Sequence, residues 1–437
     1  MRATVMRTSM PEVRIQILDL ELGEPLPRLE QIDRDGNAVF QVWLVIRLFD
    51  EPVGIERVLI PRDGVSPERL ETTLRAAWST TITDRGSLLG AAGAGILAVE
   101  PTSFRGNHEC YLRTAAPASV VICTRDRPID LARCVQSLVE QDHPQFTVWL
   151  VDSAPKTDAT RSIADSFAGR LRLRYLHEPS PGLSRARNLA LGHELDDIVA
   201  WIDDDEIADP TWLSELTRAL ELRGDASGVS GVVLPAELES AAQIWFEQFG
   251  GHSKGRGFIA ADFSPDSRPR QDPLYPLPAF GVGANMAFRT GALRRLGGFD
   301  PALGAGTRTK GGEDTRMFTE ILRRGGTMLY RPTAVTRHYH RRDLQALTAQ
   351  MRGYGTGLTA YYTAMALSDP RVAMGLVRIA GRAAKDLLSD SSLRVATLEP
   401  DFPRELLHEN RMGMLTGPFM YLRQRAENRA LSRTRHR

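Results

Sequence analysis

The chain has 437 residues, of which 42% are hydrophobic and 25% are charged. These proportions are typical of a globular protein of two or three domains. The formal net charge is +1, which excludes the strong basic field of a general nucleic-acid-binding protein.

Two features of the sequence bear on its compartment. The three cysteines, Cys110, Cys123 and Cys134, are too few and too irregularly spaced for a disulfide framework, and they fit a reducing environment. Residues 1–12 contain no apolar stretch of the length that a signal peptide needs. We therefore expect a cytoplasmic protein without a nucleic-acid partner.

Residues 1–115 are predicted to form a small α+β domain. Apolar and polar residues alternate over 13–17, and residues 39–49 and 53–60 are rich in β-branched side chains, so strands are expected there. Ser66-Pro67 is typical of a helix start, with serine as N-cap and proline in the first turn. This region contains no cluster of catalytic residue types, and the sequence assigns it no role.

Residues 116–345 alternate between strand-like and helix-like segments. Strands are predicted at 119–123, 148–151, 171–175 and 198–202, and helices at 129–141, 159–168, 183–194 and 209–222. This alternation predicts an α/β domain with a mostly parallel sheet and helices on both faces.

Residues 346–437 are predicted to form a helical C-terminal region. Its last fifteen residues contain six arginines and one glutamate. Such a tail is more often a solvated helix end. The alternative is peripheral contact with an anionic membrane surface, which for a cytoplasmic protein would be the inner face.

An acidic run, Asp203-Asp204-Asp205-Glu206, directly follows a predicted buried strand. Neighbouring carboxylates raise each other's pKa, so such a cluster favours a bound cation. Oxygen ligands suit magnesium or manganese, and open α/β sheets bind ligands at the carboxyl ends of their strands. The equally weighted alternative is an acidic loop that only caps the next helix.

Two later segments carry further titratable groups. Glu313 and Asp314 precede a predicted helix, where an acidic pair complements the helix dipole or supplies a general base. His338 and His340 follow a predicted strand. Either histidine could complete a metal site, although a lone histidine is more often structural.

Two other segments suit a nucleotide diphosphate. The stretch 182–188 places two arginines in the first turn of a helix, and arginine binds phosphate well; an exposed basic helix face is the alternative. Thr124, Arg125 and Asp152 follow two predicted strands, where a nucleotide pocket is expected. The sequence has no Gly-x-Gly-x-x-Gly and no Walker lysine loop, which argues against dinucleotide or ATP binding by those motifs.

Together and in this order, these segments resemble the family 2 glycosyltransferases, which have the GT-A fold. The resemblance covers residues 117–354, about half of the chain. It implies a bacterial-type enzyme whose N-terminal extension and helical C-terminal region lie outside the shared part. One position departs from the family pattern: Ser153 stands where asparagine usually follows the base-binding aspartate, which leaves the base selectivity open.

The resemblance implies a role for each matching residue. The donor, a UDP-, GDP- or dTDP-linked sugar, would contact Thr124, Arg125, Asp152, Arg187, Asn188, Asp203 and Asp204. Arg187 is the candidate for a diphosphate contact, with Arg185 as the fallback. A divalent metal would bind Asp203, Asp205 and His338, with His340 as the alternative to His338.

The catalytic base would be Asp314, with Glu313 beside it. Gly283 and Asn285 match an acceptor-side segment of the family. Trp245 is a further acceptor-side candidate because it lies in an irregular, aromatic-rich stretch, 244–277, and loops often carry specificity. Packing of this stretch over the sheet is the equal alternative.

The implied reaction is an in-line displacement that inverts the anomeric centre and transfers a sugar to a glycan, a lipid-linked or a small-molecule acceptor. The alternative is a catalytically silent scaffold that binds nucleotide sugars. A nucleotidyltransferase would need a glycine-rich loop after the first strand of the sheet, and residues 123–128 contain no glycine.

Overall fold

The computed structural model describes most of the chain. The described residues are 14–33, 35–88, 108–253, 255–267, 274, 280–388, 398–400 and 402–435. Residue 13 of the first predicted strand, several residues of the stretch 244–277 and the last two residues of the arginine-rich tail lie outside them.

The N-terminal region forms a three-stranded sheet with one helix. Its elements are β1 (Ile15–Glu21), β2 (Gln41–Leu48), β3 (Glu51–Leu59) and α1 (Pro67–Leu88). β1 and β2 are parallel, whereas β2 and β3 are antiparallel. Helix α1 begins as the sequence predicts, since Ser66 Oγ accepts a hydrogen bond from Arg69 N at 3.3 Å.

This N-terminal unit packs directly on the central domain. The Ile15 amide donates to the carbonyl of Leu238 at 2.9 Å. Arg47 forms ion pairs with Asp19 of its own sheet and with Asp209 of the central domain. These contacts fix the N-terminal unit against the central domain.

The central domain is built on a nine-stranded sheet. Its strands are β4 (Ala118–Thr124), β5 (Phe146–Ser153), β6 (Leu173–Glu178), β7 (Ile198–Asp203), β8 (Glu206–Ala208), β9 (Ala226–Pro235), β10 (Ala261–Phe263), β11 (Asn285–Arg289) and β12 (Thr327–His338). The order is β10-β12-β9-β11-β7-β4-β5-β6, with β8 paired to β12. Strands β7, β4, β5 and β6 are parallel, as predicted. Strand β11 is antiparallel to both of its neighbours.

Helices cover both faces of this sheet. They are α2 (Pro128–Val139), α3 (Ala159–Ser166), α4 (Leu183–Leu191), α5 (Trp212–Leu222), α6 (Ala241–Gln248), α7 (Thr290–Leu296) and α8 (Glu313–Arg323). Successive residues of a strand face opposite sides, so Val120 packs with Leu131 and Leu213 on one side. Val121 packs with Phe318 on the other side.

Among the residues that the structure describes after the sheet, the helices are α9 (Leu344–Ser368), α10 (Pro370–Leu388) and α11 (Arg404–Arg435). Asp343 is the N-cap of helix α9, and its carboxylate accepts a hydrogen bond from Ala346 N at 2.7 Å. This helix is joined to α11 by Asn410, whose side-chain amide donates to the carbonyl of Met351 at 2.8 Å. Among the described residues, no helix is both long enough and apolar enough to cross a bilayer.

Candidate active site

The carboxyl ends of three neighbouring strands bring the predicted donor-site residues together. The strand register places Thr124 beside Asp152 and Cys123 beside Asp203. Asp152 is fully buried, and its Oδ2 accepts a hydrogen bond from the Tyr175 hydroxyl at 2.9 Å. Burial raises the pKa of the Asp152 carboxyl. The predicted convergence of β4, β5 and β7 is therefore present.

Asp204, the second residue of the acidic run, forms hydrogen bonds with other side chains of the protein. Thr124 Oγ1 donates to Asp204 Oδ2 at 2.6 Å. Arg127 NH1 lies 2.9 Å from Asp204 Oδ1 and 2.8 Å from Asp205 Oδ2. Thr124 and Asp204 thus bond to each other in the structure, and their predicted contacts with the donor stay predictions. Arg127 was not predicted, although it stands two residues after Arg125, which is exposed.

The carboxylates of this run differ in acidity. Burial and the neighbouring Asp205 raise the pKa of Asp204 to about 6. Burial alone would raise the pKa of Asp205 too, but His338 and Arg127 lower it well below its ordinary value. Asp205 is therefore the more acidic member of the pair.

Glu206 is an acid that the sequence left without a role. It is 1% exposed, and burial raises its pKa to about 8. Thr336 lies beside it, but neither carboxyl oxygen meets a well-oriented hydrogen-bond donor among the described residues. Glu206 is thus protonated near neutral pH and adds no fourth negative charge.

Of the two candidate histidines, the structure places His338 next to the acidic run. His338 Nε2 lies 3.5 Å from Asp205 Oδ1. Adjacent ligands of an octahedral ion, each bound at about 2.1 Å, lie about 3.0 Å apart, so these two atoms are close to the spacing that one ion requires. Asp205 and His338 therefore fit a divalent metal ion. Asp203, on the same strand end, keeps a side chain that is 36% exposed.

His340 lies one step farther back. Its Nδ1 is 2.7 Å from His338 Nδ1, and its Nε2 is 2.7 Å from Glu247 Oε1. His252, which the sequence did not single out, brings a third ring to this group: nitrogen atoms of the three histidines lie within 4.8 Å of one another. No spacing in the sequence links His252 or Glu247 to the other two histidines.

Arg187 lies between the acidic run and α8, and its predicted contact with the diphosphate stays a prediction. It is 2% exposed. Its NH1 donates to Glu313 Oε1 at 3.1 Å, while its NH2 lies 3.0 Å from the carbonyl of Gly283 and 3.4 Å from Asp203 Oδ1. Because both ends of the guanidinium are used inside the protein, Arg187 ties the acidic run to α8.

The neighbours of Arg187 in the stretch 182–188 are also engaged. Asn188, predicted to contact the donor, donates to the carbonyl of Phe299 at 2.7 Å and accepts from its amide at 2.8 Å. Arg185 donates to Asn428 of α11 at 2.7 Å. This segment therefore fixes a loop and a helix around the site, and the donor contact of Asn188 stays a prediction.

Asp314 lies in the first turn of α8, and both of its carboxylate oxygens accept hydrogen bonds from backbone amides. Its Oδ2 accepts from Gly283 N at 2.8 Å, and its Oδ1 accepts from Thr315 N at 2.6 Å. A carboxylate has about four acceptor positions, so this half-buried group retains capacity for one more hydrogen. The adjacent Glu313 is buried, and burial together with Asp314 raises its pKa to about 7.

Gly283 makes this arrangement of Asp314 possible. A Cβ atom at position 283 would lie 2.8 Å from Asp314 Cβ and 3.0 Å from its Oδ2. The absence of a side chain therefore lets the Asp314 carboxylate approach the backbone and accept its hydrogen bond. Gly283 therefore contacts Asp314 through its backbone amide.

The other two predicted acceptor-side residues lie in the protein interior, and their acceptor-side roles stay predictions. Asn285 is fully buried and donates to the carbonyls of Val232 and Ala334, because it begins the antiparallel strand β11 inside the sheet. Trp245 is 5% exposed and packs against α9. It belongs to α6 and not to an irregular loop.

A sequence signal for α6 was present. Ser240 and Gln243 form a capping box in which each side chain bonds to the backbone of the other. This pairing of serine with glutamine three residues later marks a helix start. Trp245 and Phe246 therefore belong to this helix, whereas the sequence predicted an irregular stretch from residue 244 onward.

Comparison with known proteins agrees with this architecture. Residues 119–297 match the model of glycosyl transferase family 2. The succinoglycan biosynthesis protein ExoM of Rhizobium meliloti is 28% identical over 219 residues, which cover 49% of this chain and 63% of that protein. A pre-mycofactocin glycosyltransferase of Mycobacterium tuberculosis is 27% identical over 241 residues, covering 54% of this chain and 46% of that protein.

Among solved structures, the mannosyltransferase PcManGT from Pyrobaculum calidifontis, in complex with GDP-Man and Mn2+, aligns with a TM-score of 0.46. It is 19% identical and covers 78% of this chain and 98% of that chain.

The α/β sheet with its acidic strand end and the match over residues 119–297 make this part of the chain similar to glycosyl transferase family 2. The chain spans 63% and 46% of the lengths of the two relatives named above. Their names describe those proteins and do not fix the substrates of this one.

Proposed function

We propose that the protein transfers a sugar from a nucleoside diphosphate sugar to an acceptor hydroxyl with inversion at the anomeric centre. The observation that supports this most is one continuous network of contacts. Arg187 contacts Asp203, Glu313 and the Gly283 carbonyl, and the Gly283 amide bonds to Asp314. The leaving-group side and the base side of the reaction thus have a fixed spacing.

On the donor side, Asp205 and His338 are the residues that would hold a divalent ion, manganese or magnesium. Such an ion, when bound, neutralises charge on the departing diphosphate. Arg127 holds Asp204 and Asp205 in place from the α2 side. Asp152, at the end of β5, is positioned for the nucleotide base, and its free acceptor capacity suits base N–H groups.

On the acceptor side, Asp314 is the general base. Its carboxylate is held by two backbone amides, so it can accept the proton of an attacking hydroxyl without first reorienting. Glu313 is engaged by Arg187 at 3.1 Å, so it positions the network and does not compete for that proton.

The donor nucleotide is one of UDP, GDP or dTDP, and the acceptor is a glycan, a lipid-linked or a small molecule. One observation bears on membrane contact: α11 exposes Leu415, Phe419 and Leu422 near its arginine-rich end. An exposed apolar row beside cationic residues suits an anionic membrane surface. Co-sedimentation with vesicles rich in anionic lipid should fall for Phe419→Glu; unchanged binding would contradict this membrane contact.

Calorimetric titration tests the donor site. UDP, GDP, dTDP and their sugar conjugates would be titrated into the wild type and Asp205→Ala, with and without Mn²⁺. We expect one nucleotide to bind in a metal-dependent manner and the variant to lose that dependence. If no nucleotide binds the wild type under either condition, the transferase proposal is wrong. Binding without turnover in every acceptor screen would instead favour the silent scaffold.

A further inference from the structure

The two histidines and Glu247 form a buried chain of short contacts behind the metal ligand position. Asp205 Oδ1, His338, His340 and Glu247 Oε1 follow one another with separations of 3.5, 2.7 and 2.7 Å. The side chains of His338 and His340 are 7% and 1% exposed, and that of Glu247 is 11% exposed. Water therefore competes little for these contacts.

The contact between His338 and His340 is a hydrogen bond, and the two facing nitrogen atoms are not ligands of one metal ion. Two nitrogen ligands of a tetrahedral ion, each at about 2.0–2.1 Å, lie about 3.3 Å apart. The Nδ1 atoms of His338 and His340 are only 2.7 Å apart, which is a hydrogen-bond distance. The two rings thus share a proton through these atoms and do not both bind one ion there.

The direction of that hydrogen bond follows from its neighbour. An ionised carboxylate only accepts, so His340 Nε2 carries the hydrogen in its contact with Glu247. A neutral imidazole carries one N–H, so His340 Nδ1 is left as the acceptor. His338 must then donate through its Nδ1, which leaves the lone pair of a neutral His338 on Nε2, the atom that faces Asp205.

We infer that Glu247 and His340 are positioning residues that fix the tautomer and the ring orientation of His338 for metal binding. This inference rests on the proposed function, since it assigns a role toward the ion of that reaction. It also separates the two histidines: His338 is the ligand, and His340 is its support. Metal-binding histidines are commonly held in this way through their second nitrogen.

The packing around this chain of residues restrains both rings. The His252 ring lies 4.2 Å from that of His338, and the Phe246 ring meets His340 edge-on at 4.7 Å. Gly251 leaves room for Glu247, because a Cβ at that position would lie 2.2 Å from Glu247 Oε1. The glutamate is thus held at the end of α6 by the shape of the turn that follows.

The test measures Mn²⁺ affinity by calorimetry in the absence of donor and acceptor. We expect Glu247→Gln and His340→Phe to weaken Mn²⁺ binding by about 10- to 100-fold, the range typical for loss of such a supporting group. Glu239→Gln is the matched control: it removes the same charge from a nearby acid that pairs with Arg14 and Arg342. Wild-type affinity in both Glu247→Gln and His340→Phe would overturn the inference.

A second readout does not depend on bound metal. Nitrogen-15 spectra of the metal-free protein, recorded at a pH at which His338 is neutral, should show the Nδ1–H form of His338 in the wild type and a mixture with the Nε2–H form in Glu247→Gln. The same form in both proteins would overturn the inference. If the wild type binds no Mn²⁺, the proposed metal chemistry fails, and these spectra still decide whether Glu247 sets the tautomer.

Discussion

Arg187 and Glu313 form a buried ion pair, with 3.1 Å between NH1 and Oε1, although they stand 126 residues apart in the chain. The arginine comes from α4 and the glutamate from the first turn of α8. The rings of Trp201 and Phe299 lie 5.9 and 5.2 Å from the guanidinium carbon. The pair therefore fixes α8, and with it Asp314, relative to the acidic strand end.

Replacing Arg187 should destabilise the protein. We expect Arg187→Met to lower the free energy of unfolding by about 3–5 kcal/mol, because Asp203 and Glu313 lose the cation that compensates their burial. Chemical denaturation followed by tryptophan fluorescence would measure this. Adding Glu313→Gln to Arg187→Met should recover part of the loss. Equal stability of the single and double variants would show that the uncompensated glutamate is not the cause.

Asp314→Asn should abolish most turnover while donor binding persists. The amide oxygen of asparagine can still accept from Gly283 N, but the side chain cannot take a proton from the acceptor. We expect a decrease in kcat of about 10²- to 10⁴-fold with nucleotide affinity unchanged. Asp130→Asn is the control, since Asp130 is also an acid in a first helical turn. Near-normal turnover of Asp314→Asn would exclude Asp314 as the base.

Gly283→Ala should separate positioning of the base from donor binding. The new methyl group would displace the Asp314 side chain, because a Cβ there meets Asp314 Cβ at 2.8 Å. We expect kcat to fall by at least about tenfold, as misplacement of a catalytic group costs rate steeply. Mn²⁺ and nucleotide affinities should remain close to those of the wild type.

Gly224→Ala is the matched control for this change, since a Cβ at Gly224 meets no atom within 4 Å. It should leave both kcat and stability unchanged. Wild-type kcat for Gly283→Ala would mean that the position of Asp314 tolerates a displacement, and would weaken its assignment as a pre-positioned base.

The parallel half of the sheet could be predicted from the sequence because its signals are local. Strands β4 and β5 are short, largely apolar runs, and each is followed by a turn and an amphipathic helix. The convergence of Asp152 and Asp203 follows from that pattern, since parallel strands align their carboxyl ends. Strand β11 was missed as a sheet strand because its antiparallel pairing with β7 and β9 depends on contacts distant in sequence.

The roles of polar residues were harder to predict, because burial is a tertiary property. Arg187 and Asn188 belong to the family motif, and the sequence cannot show that their side chains point inward and bond to Glu313 and Phe299. The contact between His340 and Glu247 spans 93 residues. Residue type therefore predicted which polar residues gather at this edge of the sheet, and the structure was needed to show which of them bond to one another.

Glu206 gives a prediction for the pH dependence of stability. Burial raises the pKa of its carboxyl from an ordinary value of 4.5 to about 8 in the folded protein. Between these two pH values the folded state binds more protons than the unfolded state, so stability falls as the pH rises. The favourable contribution is complete below about pH 4.5 and is lost as the pH passes through about 8.

Glu206→Gln should remove this dependence, because glutamine has a similar shape and no proton to lose. We expect the variant to gain stability relative to the wild type between pH 5 and pH 8.5, by on the order of a few kcal/mol. The measurement is chemical denaturation of both proteins at the two pH values with a chelator present. Asp204 and Glu313 titrate in both proteins, so their contributions cancel in the difference. A stability difference that stays constant between the two pH values would mean that Glu206 is already ionised in the folded protein, and that the acidic run carries four negative charges around the proposed metal position.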